Sequence, residues 1–156
     1  LHDIGKIGLE DSVLRKPGRL TVEEFEKIKQ HPVLGFEILR GIRPFRKILP
    51  AVRHHHESWD GTGYPDGLAG EGIPRDAQVL AVADAFDAMT SDRPYRSGMS
   101  LEQVVEIFQR GRGTQWAADV VDVLLASPDL MQSYADREPA TSAAMPRSDD
   151  HPRLLD

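Results

Sequence analysis

The sequence predicts an all-α fold, and two observations support that prediction. Apolar residues recur at helical spacing through most of residues 1–126, and no segment alternates apolar and polar residues for long enough to indicate a β-strand. Two capping boxes, formed by Thr21 with Glu24 and by Ser100 with Gln103, mark the starts of two helices. We therefore expect one helical domain over residues 1–126, followed by a tail.

The first half of the chain is predicted to form three helical segments. The first capping box opens a helix over residues 21–30. His31-Pro32 starts the next segment, because proline suits the first turn of a helix. A third segment is predicted over residues 44–57, with a kink or a restart at Pro50, where the backbone loses a hydrogen-bond donor.

A loop separates these segments from the second half of the chain. Residues 60–74 carry glycine or proline at nearly every other position, which predicts a structured loop. Residues 77–91 are apolar almost all round and are predicted to form a central helix. Further helices are expected from Ser100 and over residues 117–126. Beyond them proline, serine, aspartate and arginine dominate, so residues 127–156 are predicted to be a disordered tail.

Composition narrows the class of function. The chain has 25 acidic and 19 basic residues, a formal net charge of −6 and no basic stripe, which argues against polymeric nucleic acid as a partner. A small phosphate ligand needs only a few local cations and remains compatible. Because the sequence has no cysteine, any metal must be held by histidine and carboxylate, and a reducing cytoplasm is the expected location. No apolar run approaches the roughly 20 residues that span a bilayer, which predicts a soluble protein.

Three consecutive histidines end the third predicted segment. The apolar face of that segment is defined by Phe45, Ile48, Leu49 and Val52. With Phe45 set at zero, His56 falls at about 20° and His55 at about 280°. His54 falls at about 180°. We therefore expect His55 and His56 to point inward and His54 to point to water; the alternative is that both inward rings are ordinary core histidines, each satisfied by one carbonyl.

Further candidate ligands lie outside this histidine run. Asp84 is in the middle of the apolar helix, where an unpaired carboxylate costs on the order of several kcal/mol, so it needs a cation. That cation is either a metal ion or an arginine or lysine of the core. His31 is either a helix cap or a ligand, and His2-Asp3 is either a solvated surface pair or two ligands.

Taken together, these residues form a nitrogen and oxygen donor set that suits Fe, Mn, Zn or Ni better than Ca or Mg. The number of candidate ligands suggests more than one ion, with a carboxylate such as Asp3 as the bridge. Paired metals suit the hydrolysis of phosphate esters, because they activate water and hold phosphate oxygens. The residues alone therefore favour a phosphohydrolase.

Five motifs in this order resemble the HD-GYP family. They are HDIGK at residues 2–6, HHE at 55–57, DGTGYP at 60–65, DAFD at 84–87 and TSDRPYR at 90–96. The resemblance covers residues 1–126 and implies an HD-superfamily helical bundle with a Gly/Pro-rich GYP loop, residues 60–74. It also implies metal-dependent hydrolysis of the phosphodiester bonds of cyclic di-GMP, a bacterial second messenger, to pGpG and further to GMP.

The resemblance implies a role for each site residue. Asp3 and Lys6 are implied to be catalytic, and Lys6 also to contact substrate phosphate. Two or three divalent metal ions, with Fe or Mn favoured, are implied to bind His2, Asp3, His31, His55, His56 and Asp84. Further substrate contacts are implied at Tyr64, Asp87, Arg93 and Arg96. Without the resemblance, Lys6 is equally a solvated charge, and the two arginines are equally partners of Asp87 or Asp92 that fix a turn.

The resemblance also leaves alternatives open. Family members carry a further histidine, and in some members a glutamate, on a helix that would precede Leu1, so the chain is expected to lack that helix and part of the metal site. The activity of the chain alone is therefore open. The other functions considered are a hydrolase of another cyclic dinucleotide or nucleotide, and a non-catalytic module that senses the nucleotide or docks diguanylate cyclase (GGDEF) domains through the GYP loop.

Overall fold

A computed structural model describes residues 1–92 and 97–137. In these two stretches the chain forms α-helices and short 3₁₀ helices and no β-strand, which confirms the predicted all-α fold. The α-helices are α1 (Asp11–Leu14), α2 (Val22–Ile28), α3 (His31–Leu39), α4 (Leu49–His54), α5 (Arg75–Thr90), α6 (Leu101–Gly111), α7 (Ala118–Leu125) and α8 (Pro128–Ala135). The 3₁₀ helices are Ile4–Gly8, Arg43–Phe45 and Gly70–Gly72.

Both predicted capping boxes are present. At the start of α2, the Thr21 hydroxyl accepts a hydrogen bond from the Glu24 amide (3.2 Å), and the Glu24 carboxylate accepts one from the Thr21 amide (2.7 Å). Ser100 and Gln103 form the same reciprocal pair at the start of α6, at 3.4 Å and 3.0 Å. Each pair satisfies two amides at a helix start through residues three apart, so these starts are readable from local sequence.

The segment predicted over residues 44–57 is divided at its prolines. Arg43–Phe45 is a separate 3₁₀ turn, and α4 begins with Pro50 in its first turn, so the predicted restart is confirmed. However, α4 ends at His54 and does not continue to Glu57. The chain turns after His54 and continues into the GYP loop.

The tail that was predicted to be disordered begins with a helix. α8 covers Pro128–Ala135, and its Met131 is only 3% exposed. Met131 and Tyr134, three residues apart, both pack against the core formed by α5, α6 and α7. The structure thus corrects the prediction for residues 128–135, where the polar neighbours obscured a short periodicity. Residues 138–156 lie outside the described part of the chain.

Two apolar clusters hold the helices together. The smaller cluster packs α3 against α4 through Leu39, Leu49 and Val52. The larger cluster joins α5 to α8, with Phe108 and Val121 fully buried. α5 also packs on α4, so it connects the two clusters. No helix within residues 1–92 and 97–137 combines the length and apolar character needed to cross a membrane.

Candidate metal centre

The six residues predicted as metal ligands converge in the structure. Ligand atoms that all lie within 4.8 Å of one another come from Asp3, His31, His55 and His56. Beside them, His2 Nε2 lies 3.2 Å from Asp84 Oδ1 and 3.5 Å from Asp3 Oδ2. Segments far apart in the chain therefore contribute to one centre, and the assignment of each residue as a ligand stays a prediction.

Asp3 lies in the middle of this centre, and its two carboxylate oxygens face different partners. Oδ1 is 3.4 Å from His31 Nε2 and 4.0 Å from His55 Nε2. Oδ2 faces Lys6 Nζ at 3.0 Å and His2 Nε2 at 3.5 Å. Burial alone would raise the pKa of Asp3, but the adjacent histidines and Lys6 hold it well below its usual range. The carboxylate is therefore ionised at neutral pH.

Close packing of Gly5 on α3 brings the first residues of the chain against His31. Gly5 lies in the 3₁₀ helix that directly follows Asp3. A Cβ atom on Gly5 would overlap the His31 carbonyl oxygen and would lie 2.5 Å from the Gly35 nitrogen. Because only glycine permits this approach, the HDIGK segment contains the residue that its own docking requires.

The side chains of His31 and His55 are both fully buried, and their rings make the same type of hydrogen bond. Each ring places Nδ1 2.8 Å from the carbonyl oxygen three residues earlier, His31 from Ile28 and His55 from Val52, and donates its hydrogen there. When both rings are neutral, each Nε2 atom carries a lone pair, and the two Nε2 atoms lie 3.4 Å apart. Two lone pairs at this distance repel each other, and a bound cation would satisfy both.

The electrostatics of the centre also fit a divalent cation. Burial lowers the pKa of His55 to about 3, and the nearby histidines act in the same direction, so this ring is neutral and able to bind metal. Asp3, followed by Asp84, raises the pKa of His2 to about 9 against the effect of burial, which shows how strongly the two carboxylates attract positive charge. Burial alone would raise the pKa of Asp84, but His2 holds it below its usual value.

Lys6 is buried beside the centre, with only 5% of its surface exposed. Its ammonium group lies 3.0 Å from Asp3 Oδ2. The alternative that Lys6 is a solvated surface charge is therefore wrong. A buried ammonium group requires a carboxylate partner, which Asp3 provides. Lys6 in turn places a positive charge next to the predicted metal ligands.

Tyr64 of the GYP loop forms one wall of the centre. It is 9% exposed, and its ring stacks on His56 with centroids 4.8 Å apart and an interplanar angle of 25°. Phe25 meets the Tyr64 ring edge-on at 6.4 Å. Burial raises the pKa of Tyr64 well above its usual value, and the charges of Asp3 and Asp84 add to the shift, so the phenol is neutral. The structure thus places Tyr64 against a predicted ligand, and its contact with substrate stays a prediction.

His54 does not point to water, and that prediction is wrong. Its side chain is only 13% exposed, and Nδ1 lies 3.6 Å from Glu57 Oε1 and 3.6 Å from Asp66 Oδ2. The GYP loop folds back over this face of α4 and covers the ring. A helical projection cannot show this contact, because the loop is not part of the helix.

A second group of side chains is spaced closely enough to hold a cation: His54, Glu57 and Asp66. However, the two carboxylates of this group already bind other groups. Glu57 accepts hydrogen bonds from the amides of Asp66 (2.8 Å) and Leu68 (3.1 Å). Asp66 forms two hydrogen bonds with the Arg53 guanidinium, both at 2.8 Å. These contacts anchor the GYP loop to the end of α4. The anchoring role of Glu57 was missed in the sequence, because its partners are backbone amides.

Asp87 is a predicted substrate contact that the structure describes. It lies on α5, one helical turn after Asp84. Its Oδ1 accepts hydrogen bonds from the Tyr134 hydroxyl (2.7 Å) and the Ser91 hydroxyl (3.2 Å). Tyr134 was missed because α8 was predicted to be disordered. Two further predicted contacts lie outside the described residues: Arg93 and Arg96.

Fold and site together define a helical protein with a buried histidine and carboxylate centre that fits divalent metal. The HD domain family matches the chain over residues 1–120. The chain belongs to this family, and the predicted resemblance to HD-GYP proteins is confirmed. The match ends before α8.

Curated relatives are similar to most of this chain. The cyclic di-GMP phosphodiesterase response regulator RpfG of Xanthomonas campestris is 47% identical over 128 residues, which cover 80% of this chain and 34% of the relative. A cyclic di-GMP phosphodiesterase of Thermotoga maritima is 46% identical over 127 residues, with the same shares. The 3′3′-cGAMP-specific phosphodiesterase 2 of Vibrio cholerae is 37% identical over 129 residues, 80% of this chain and 24% of the relative. The chain thus spans about a third or less of the length of these relatives.

Proposed function

We propose that this chain is the catalytic part of a metal-dependent phosphodiesterase that hydrolyses cyclic di-GMP. The observation that carries the proposal is the convergence of four histidines and Lys6 on the carboxylates of Asp3 and Asp84. Relatives at 46% and 47% identity are named as cyclic di-GMP phosphodiesterases, which supports the choice of substrate. A cytoplasmic location is part of the proposal, because the cysteine-free sequence suits a reducing compartment.

Two divalent metal ions, with Fe or Mn favoured and a third not required, are the proposed cofactors. The residues that would hold them are His2, Asp3, His31, His55, His56 and Asp84. Bound there, the ions would supply Lewis acidity that lowers the pKa of water and stabilises charge on phosphate oxygens. Asp3 is the proposed bridging ligand, since its Oδ1 faces His31 and its Oδ2 faces His2.

The remaining residues are proposed to bind and orient the dinucleotide. Lys6 holds a positive charge at Asp3 Oδ2, where it can meet a phosphate oxygen and oppose the negative charge that develops during reaction. Asp87, Arg93 and Arg96 are the proposed further contacts with substrate. In the reaction, a water oxygen bonds to phosphorus, the phosphorus bond to the ribose oxygen breaks, and that oxygen takes up a proton. The first product is linear pGpG, and a second cleavage gives GMP.

A second candidate substrate is 3′3′-cGAMP. Relatives named as specific for this dinucleotide are 37% and 38% identical to the chain, which supports it as an alternative substrate. Docking of GGDEF domains on the GYP loop also remains a proposal. The rigid attachment of that loop by Glu57 and Asp66 supports it, because a preformed surface loses less entropy on binding.

The test uses the full-length natural protein purified with Mn or Fe under reducing conditions. Cyclic di-GMP and 3′3′-cGAMP are offered separately, and their products are followed by chromatography while bound metal is measured by elemental analysis. We expect cyclic di-GMP to be consumed faster, with pGpG appearing before GMP. Asp3→Asn should reduce turnover by at least about 100-fold, whereas Asp11→Asn, at an exposed position, should not.

Each outcome of this test has a clear meaning. A metal-loaded protein that hydrolyses neither dinucleotide contradicts the proposal. Faster hydrolysis of 3′3′-cGAMP replaces the substrate and keeps the site. Full activity in Asp3→Asn would show that the convergence on Asp3 is not the active centre.

A further inference from the structure

The C-terminal helix α8 packs directly on the helix that carries Asp84 and Asp87. Met131 is buried in the larger apolar cluster, and the ring of Tyr134 lies 5.6 Å from the ring of Phe86 on α5. This helix follows the residues matched by the HD domain family, which end at 120. It is nevertheless part of the same core.

The Tyr134 hydroxyl reaches a group in the candidate site. It donates a hydrogen bond to Asp87 Oδ1 at 2.7 Å, across a sequence separation of 47 residues. The distance is the usual one for a well-formed O–H···O hydrogen bond. The Ser91 hydroxyl bonds to the same oxygen at the longer distance of 3.2 Å.

We propose that Tyr134 is a positioning residue that fixes the carboxylate of Asp87 for binding substrate. This inference rests on the proposed function. Ser91 holds the Asp87 carboxylate from the same helix, and Tyr134 holds it from a second helix, with its own ring packed against Phe86. The hydroxyl acts through Asp87 and has no assigned contact with the reacting phosphate.

The arrangement separates two functions along α5. Asp84 belongs to the metal centre, whereas Asp87 lies one turn further along and is held by α8. Loss of the Tyr134 hydroxyl should therefore weaken substrate binding and leave metal binding intact. If Tyr134 acted through packing alone, loss of its hydroxyl would leave the ring in place and would change neither KM nor metal content.

The test compares Tyr134→Phe with the wild type in the full-length natural protein. This variant removes the hydroxyl and keeps the ring on Phe86. We expect KM for cyclic di-GMP to rise about tenfold, with kcat within about twofold and metal content unchanged. Ser133→Ala, at an exposed position on the same helix, should change none of these. Melting temperatures show whether either variant alters packing.

A double-mutant cycle with Asp87→Ala, which removes the acceptor oxygen, identifies the route of the effect. If Tyr134 acts through Asp87, adding Tyr134→Phe to Asp87→Ala should raise KM by less than about twofold. Ser91→Ala provides a second perturbation of the same carboxylate, with a smaller expected rise in KM that is also lost in the Asp87→Ala background. This second cycle decides the matter if Tyr134→Phe lowers the melting temperature.

The outcomes distinguish this inference from the proposed function. A wild-type protein that hydrolyses no cyclic di-GMP contradicts the proposed function, and the inference with it. An active wild type whose KM is unaffected by Tyr134→Phe overturns the inference alone. An equal rise in KM with and without the Asp87 carboxylate also overturns it, because the hydroxyl would then act by another route.

Discussion

Replacing Gly5 by alanine should disrupt the metal centre from a position that binds no metal. The added Cβ would overlap the His31 carbonyl oxygen and would lie 2.5 Å from the Gly35 nitrogen, whereas ordinary contact begins at 3.4 Å. The 3₁₀ helix and α3 must therefore separate by at least about 1 Å, several times the roughly 0.2 Å tolerance of metal-ligand distances. Both partners are backbone atoms, so no side-chain rotation can relieve the overlap.

The separation would pull His2 and Asp3 away from His31. We expect metal affinity to fall at least about 100-fold, and stability to fall by about 1–3 kcal/mol or more from overpacking. Affinity is measured by competition with a chelator of known strength, and stability by chemical denaturation of the metal-free protein. The matched control is Gly41→Ala, because a Cβ there meets nothing within 4 Å. Equal metal affinity in Gly5→Ala and Gly41→Ala would refute the reasoning.

Three further predictions concern the loop and the metal. Tyr64→Phe should keep metal affinity within about threefold of the wild type, because the ring stacked on His56 remains. Tyr64→Leu removes that ring and should weaken metal affinity by about tenfold or more. Equal affinities in metal titrations of the two variants would contradict this prediction. Gly63→Ala should loosen the GYP loop, since its Cβ would lie 2.5 Å from the Glu57 Cα. The control is Gly72→Ala, where a Cβ has open space. We expect limited proteolysis to cleave Gly63→Ala faster than Gly72→Ala. Adding Mn at 100 times its dissociation constant should stabilise the metal-free protein by about 2.7 kcal/mol, and an unchanged melting curve at that concentration would contradict a site that exists only in the folded chain.

The parts of the fold that sequence predicted well are those set by neighbouring residues. The Thr21 and Ser100 capping boxes depend on side chains three residues apart, and the restart at Pro50 depends on a single missing amide hydrogen. These signals are local, so one sequence contains them. The ligand set, in contrast, was expected from the motifs that resemble the HD-GYP family and from polar residues on apolar helix faces, which are not local signals.

The errors arose where distant segments meet. His54 was expected to face water because a helical projection contains no information about the loop that covers it. Tyr134 was missed because a two-turn helix amid polar residues has little periodicity of its own and is stabilised by the core on which it packs. Close packing at Gly5 was likewise not predicted, since the sequence does not show which backbone segment will pack against a glycine.

The paired histidine arrangement has a consequence for assembly. His31 and His55 each use Nδ1 to bond the carbonyl of the third residue before them, so each ring acquires its orientation from its own stretch of chain. Two short segments can thus carry correctly turned rings before they meet, and docking α3 on α4 needs to set only the distance between them. The two rings then lose their conformational entropy during folding and not during metal binding, which favours rapid and tight binding of the first metal.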